Sequence, residues 1–123
     1  MATPIKDFEG ADSGEQRRVR TILREILPIS RRAQGLWADA TITTAPSHYA
    51  FDGITSPTLV IATRNDLFGT LAGSRLAARR IPRARLIEYP DGGHVWVGRQ
   101  AEVWPAIVAF LNASDHLPIA ARQ

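Results

Sequence analysis

Two residues stand where their chemistry and placement could move a proton: Asp66, which closes "PTLVIATRND", and His94, inside "PDGGHVWVG". An imidazole changes charge near neutral pH. A carboxylate bonded to one of its nitrogens fixes the tautomer, stabilises the protonated form and leaves the other nitrogen free to take a proton from a nucleophile. Gly92 and Gly93 allow the backbone to turn sharply, so that His94 can point into a crevice instead of along a strand. Asp91, beside the same glycines, is a second candidate acid, although Asp before Gly is a common turn pair.

The elements that must hold these residues follow from hydrophobic period. "PTLVIAT" is a short, continuous apolar run with β-branched residues behind a proline and reads as a buried parallel strand ending just before Asp66. "LFGTLAGSRLAARRI" puts Phe68, Ala72 and Leu76 on one helical line, and "ARLIEY" is a second short strand ending just before the glycines. The fold class expected is therefore α/β, and a strand, helix, strand passage places Asp66 and His94 beyond the carboxyl ends of neighbouring strands, the rim where open α/β sheets bind ligands.

The remainder divides around this unit, 57–112. Residues 1–12 carry no period and read as a flexible lead. A helix is expected from Ser13, which stands at capping-box spacing from Gln16, with Val19, Ile22, Leu23, Ile26 and Leu27 on one face. Pro28 ends or bends it, and "ISRRAQGLWADA" continues as a second helical piece with Leu36 and Trp37 toward the core. Residues 41–56 read as a crossing segment with little regular structure; a last helix spans about 98–112 through Ala101, Trp104, Ile107, Val108 and Leu111, and 113–123 form a loose tail. Two parallel strands with one crossover helix make a poor sheet alone, so partner strands are expected from another chain, another copy or an amino-terminal part outside this sequence.

Composition removes several classes of function. The chain has 123 residues, enough for one domain, and its 45% hydrophobic and 22% charged residues are ordinary for a globular protein. With no cysteine there are no disulfides, thiolate nucleophiles or cysteine metal sites. No His or carboxylate group has metal-ligand spacing and no phosphate-binding glycine loop occurs, so neither a metal nor a cofactor is expected. His48 reads as a loop residue and His116, in "SDHLP", as solvent-exposed. A net charge of +3 invites nucleic acid as a partner, but arginine supplies all but one of the 15 basic residues, singly or in pairs within helical patterns, and few aromatics are present to stack bases. Nucleic acid and membrane are therefore not expected partners. Neither a signal peptide nor a membrane-length apolar run occurs, which makes the cytoplasm the default location.

The run "PTLVIATRNDLFGT…ARLIEYPDGGHVWVG…VWPAIVAFL" resembles the carboxyl-terminal end of the α/β-hydrolase family, most specifically over 57–111. The matching elements are a proline-led strand with an acid at its tip, a helix from Leu67 to Arg80, "IPRARLIEY", "GGH" and a final helix ending in Phe-Leu. The resemblance implies a partial α/β-hydrolase fold, the last strand-helix-strand-helix unit of a parallel sheet preceded by helical segments. It casts 13–56 as the end of a cap region. It also implies a serine hydrolase acting on a small-molecule ester or related acyl substrate, with Asp66 and His94 as acid and base of a Ser-His-Asp triad.

Thr63 stands where many relatives have glycine, and Arg64 and Asn65 where acidic residues often precede the key aspartate. The family's serine sits in a G-x-S-x-G elbow ahead of the acid, and this chain has none. Ser13 looks like a cap, Ser30, Ser47 and Ser56 lack flanking glycines, and Ser74 follows the acid within a helix. Trp96 and Trp104 could line an acyl pocket, but such spacing is more often core. The resemblance thus implies a base and its orienting acid without their nucleophile, inactive as the isolated chain. The alternatives are a partner-binding or oligomerising piece, or one half of a split hydrolase.

Overall fold

A computed structural model describes residues 2–44 and 49–115, so His48 and His116 lie outside the described residues. The architecture is mixed α/β. Among the described residues there are five α-helices, α1 (Ile5–Glu9), α2 (Ser13–Ile26), α3 (Ala33–Thr44), α4 (Leu71–Arg80) and α5 (Gln100–Asp115), and two strands, β1 (Thr58–Thr63) and β2 (Ala84–Tyr89).

The strands pair in parallel, Thr58 opposite Ala84 through Thr63 opposite Tyr89. The ladder extends past both ends: Thr58 N donates to Arg83 O at 3.1 Å and Arg64 N to Tyr89 O at 2.9 Å. Helix α4 crosses over on one face through Leu71, Ser74, Ala77 and Ala78, whose spacing forms one helical stripe; the small side chains of Ser74, Ala77 and Ala78 allow close approach. Arg75 of α4 and Arg64 both bond the carboxylate of Glu88 on β2, Arg75 Nε at 2.8 Å and Arg64 Nε at 2.6 Å, and together they hold that carboxyl down to about 2. On the opposite face, Leu59 and Ile61 look across a groove of about 340 Å³ toward Ile107 and Leu111 of α5.

Several expectations differ from the structure. The crossover helix begins at Leu71 and not at Leu67, because Asp66 gathers residues 67–70 into a turn, with Gly69 at φ +68° donating its N–H to Asp66 O at 3.0 Å. Phe68 therefore stands outside the helix and Leu76 is partly exposed. Asp12, not Ser13, caps α2, its Oδ1 accepting from Gly14 N at 2.8 Å and Glu15 N at 3.0 Å. The helix ends at Ile26, and a 3₁₀ turn at Ile29–Arg32 leads into α3, which reaches Thr44 within the segment expected to be irregular. Leu36 and Trp37 do not face a core: they are 44% and 77% exposed, because α3 packs chiefly on the 3₁₀ turn before it.

The lead is also structured. Ala2 and Thr3 are buried, residues 5–9 are helical, and Ala2 O accepts from both Leu67 N (3.2 Å) and His94 N (3.0 Å). A segment without hydrophobic period is thus held by backbone hydrogen bonds, which composition does not reveal. This contact fixes Gly93, at φ +58°, where an added Cβ would lie 2.5 Å from Thr3 Cα and Cβ.

Gly98, at φ +75°, shares the left-handed backbone but has open space around it, so the two glycines separate strain from collision. Gly98→Ala should cost about 1 kcal/mol of strain, and Gly93→Ala at least about 2 kcal/mol because the strap at Thr3 must also move. Urea unfolding of both variants checks this; equal losses would remove the strap from the account.

Candidate functional site

The site lies where β1 and β2 end. Beyond β1, Arg64 and Asn65 turn the chain and bring Asp66 to the rim; beyond β2, the run 90–98 folds back on itself, closed by Val97 N donating to Gly92 O at 2.8 Å. Gly92 at φ +111° and Gly93 at φ +58° make the reversal, and Trp96 at φ 54° is a left-handed residue that is not glycine. His94 is carried on the resulting 3₁₀ turn, Gly93–Val95.

The structure brings Asp66 and His94 together, with Asp66 Oδ2 3.0 Å from His94 Nδ1. The Asp66 side chain is 5% exposed, while that of His94 is 46% exposed. The carboxylate also accepts from Thr70 Oγ1 at 2.5 Å and from the Phe68 amide at 2.9 Å. Burial pushes the Asp66 carboxyl up, but the hydrogen bonds from His94, Thr70 and the Phe68 amide outweigh it and hold the group below its ordinary 3.8. An ionised Asp66 can only accept, so the bond assigns the proton to Nδ1 and leaves the Nε2 lone pair available. Among the described residues Nε2 has no hydrogen-bond partner. The Phe68 ring packs edge-on against the imidazole, centroids 4.7 Å apart at 88°, fixing its plane from a second direction.

Asp91, the other candidate acid, is turned away. It accepts from Arg99 Nε at 2.9 Å and Nη2 at 2.6 Å and so helps to anchor the start of α5. Ser13 lies in the first turn of α2, Ser30 in the 3₁₀ turn, Ser56 ahead of β1 and Ser74 within α4, while Ser47 falls outside the described residues.

A second tier of residues holds the turn that carries His94. Asn65 Oδ1 accepts from Gly93 N at 2.9 Å while its Nδ2 donates to Asp7 Oδ2 at 2.6 Å, and Asp7 also accepts from Gly92 N at 3.2 Å. Thr63 Oγ1 donates to Gly93 O at 3.0 Å. Thr63 and Asn65, noted in sequence only as departures from the α/β-hydrolase pattern, are therefore structural parts of this turn. From α2, Arg18 Nη2 donates to Val95 O at 2.8 Å and Glu15 Oε1 accepts from Gly98 N at 3.0 Å; the Arg18 hydrogen bonds to Glu15 hold that carboxyl below its ordinary range. Thr70 had a local signal, Asp followed four residues later by a hydroxyl across a glycine turn. Asp7, Glu15 and Arg18 had none, since their partners are distant in sequence.

His94 separates two depressions. One, of about 440 Å³, runs along α2 and is bounded by Phe68, and the other, of about 570 Å³, is lined by Arg18, Gln100, Trp96 and Trp104. Trp104 is 57% exposed, so it belongs to a surface depression and not to the core. Among the described residues no group of three or more His, Asp or Glu side chains could hold a metal ion, and no helix is long and apolar enough to cross a membrane. Neither a protein family, nor a curated protein, nor a solved structure matches this chain.

Thr70→Val removes one donor to Asp66, so it should raise the Asp66 carboxyl toward 3.8 and cost about 1 kcal/mol at neutral pH. A folded-state pKa below the unfolded one contributes stability that is complete above the unfolded value and is lost as pH falls through the folded one. The variant's deficit should therefore shrink on acidification below about pH 4. Carboxyl NMR titration with urea unfolding at several pH values measures both; an unmoved Asp66 titration would contradict the network.

Proposed function

We propose that this chain is the acid-and-base portion of an α/β-hydrolase-like enzyme that cleaves ester or related acyl bonds through a Ser-His-Asp triad, carrying the Asp and the His but not the Ser. The observation that carries the reading is the 3.0 Å pairing of Asp66 Oδ2 with His94 Nδ1 at the tips of adjacent parallel strands. It is supported by the order of elements from Pro57 to Leu111, which follows the resemblance noted in the sequence.

In this reading His94 Nε2 takes the hydroxyl proton as the serine oxygen bonds to the acyl carbon, and the resulting imidazolium is held by ionised Asp66. The same proton then passes to the departing alkoxide, and water, deprotonated by His94, releases the acid and restores the serine. Donors for the oxyanion come from the part that carries the nucleophile. The substrate would be a small acyl compound, with no metal or cofactor in the chemistry, and the setting would be cytoplasmic.

A second reading, a module that binds another chain or a second copy of itself, is favoured by a different observation. One edge of β1 has no strand partner among the described residues, and Trp104, Val108 and Leu111 of α5 are 57%, 52% and 54% exposed. A stable monomer on size measurement would count against it. The two readings converge if the covering chain bears the nucleophile.

A fluorophosphonate probe should label no serine in this polypeptide, and a labelled serine would overturn the absence of a nucleophile. Mixing with a chain that bears G-x-S-x-G should restore ester hydrolysis, and Asp66→Asn or His94→Ala should then lower it by roughly 10³- to 10⁴-fold. Restored activity indifferent to both substitutions would remove them from the mechanism.

A further inference from the structure

The depression along α2 has a lining that specifies more than a generic acyl compound. It is formed by Val19, Ile22, Leu23 and Ile26 of α2, by Leu36 of α3 and by Phe68, with His94 as the only polar side chain among its lining residues. Ile26 and Leu36 are 43% and 44% exposed, placing them at the mouth, whereas Val19 is fully buried and forms the floor. These α2 positions recur on one helical face, so the apolar stripe that would normally meet a core here forms one wall of a cleft ending at the imidazole. A ligand there meets hydrocarbon along its length and one proton-transferring group at its end.

We infer that this cleft receives a single aliphatic acyl chain of medium length, with its carboxyl-derived end at His94 Nε2. The inference rests on the hydrolase reading for the reaction but not for the binding. Nδ1 is engaged by Asp66 at 3.0 Å, so Nε2 is the ring nitrogen left to meet the acyl head: neutral, it accepts a proton, and protonated, it donates to a carboxylate. The cleft volume of about 440 Å³, at roughly 30 Å³ for a group the size of water, accommodates on the order of ten methylene-sized groups once its open mouth is discounted. Among the described residues the lining offers no side-chain donor along its length for hydroxyl groups, which disfavours sugar-like acyl or alcohol parts on this side of His94.

The test is binding of straight-chain carboxylates to the full chain, below their micellar concentrations, followed by NMR of the His94 ring and the Ile, Leu and Val methyl groups. Affinity should rise by up to about fourfold per methylene from hexanoate to decanoate and level off before hexadecanoate. Leu36→Trp and Ile26→Trp, both at the exposed mouth, should weaken decanoate at least tenfold while leaving the Asp66-bonded ring proton of His94 in place. Affinity independent of chain length, or a chain-length dependence that neither tryptophan alters, would overturn the proposal. Decanoate binding with no hydrolysis on supplying a G-x-S-x-G chain would support the ligand and count against the enzyme. Restored hydrolysis without preference among acyl lengths would retain the enzyme and overturn this cleft as its acyl site.

Discussion

The hydrogen bond from His94 Nδ1 to Asp66 Oδ2 is the constraint to which the rest of the site answers. It joins the ends of two strands whose parallel pairing fixes how far apart their carboxyl ends lie. Either side chain alone would be an ordinary rim residue. A neutral imidazole has two tautomers of similar energy, and a buried, ionised acceptor on one side selects between them. The 5% exposure of Asp66 against 46% for His94 separates the two groups: the acceptor is withdrawn from water while the other edge of the imidazole remains reachable.

Holding that bond requires a backbone that few sequences allow. The 90–98 run contains three left-handed glycines and one left-handed tryptophan, an unfavourable arrangement unless its amides are satisfied. Contributors from across the chain do so: Asn65 and Asp7 accept from the Gly93 and Gly92 amides, the Ala2 carbonyl from the His94 amide and Glu15 of α2 from the Gly98 amide, while Arg18 of α2 donates to the Val95 carbonyl. The amide of Asn65 is suited to its place because it accepts from Gly93 and donates to Asp7 at once, whereas a carboxylate there would stand against the carboxylate of Asp7.

The central unit was legible because its signals are local. A proline followed by a β-branched run reads as β1, the short run ARLIEY before the glycine pair as β2, and the interval between Asp66 and His94 as one crossover, so the pairing of these two residues could be anticipated. What could not be read depends on long-range packing. Asp12 and Ser13 are adjacent residues of nearly equal capping tendency, and their environment chose the first. Leu36 and Trp37 carry a helical apolar pattern whose expected burial is absent because little covers α3. The lead at 2–9 has no period at all, yet it supplies the carbonyl and carboxylate that brace the histidine turn. Among the described residues no further strand covers the groove beside β1.

Nitrogen-15 NMR of the His94 ring at a pH where the imidazole is neutral tests the central claim most directly. If Asp66 orients the base, the proton should reside on Nδ1 with Nε2 unprotonated, and this preference should disappear in Asp66→Asn. A ring that carries its proton on Nε2 with Asp66 intact would contradict the account, since Nε2 would then have no lone pair with which to accept a proton.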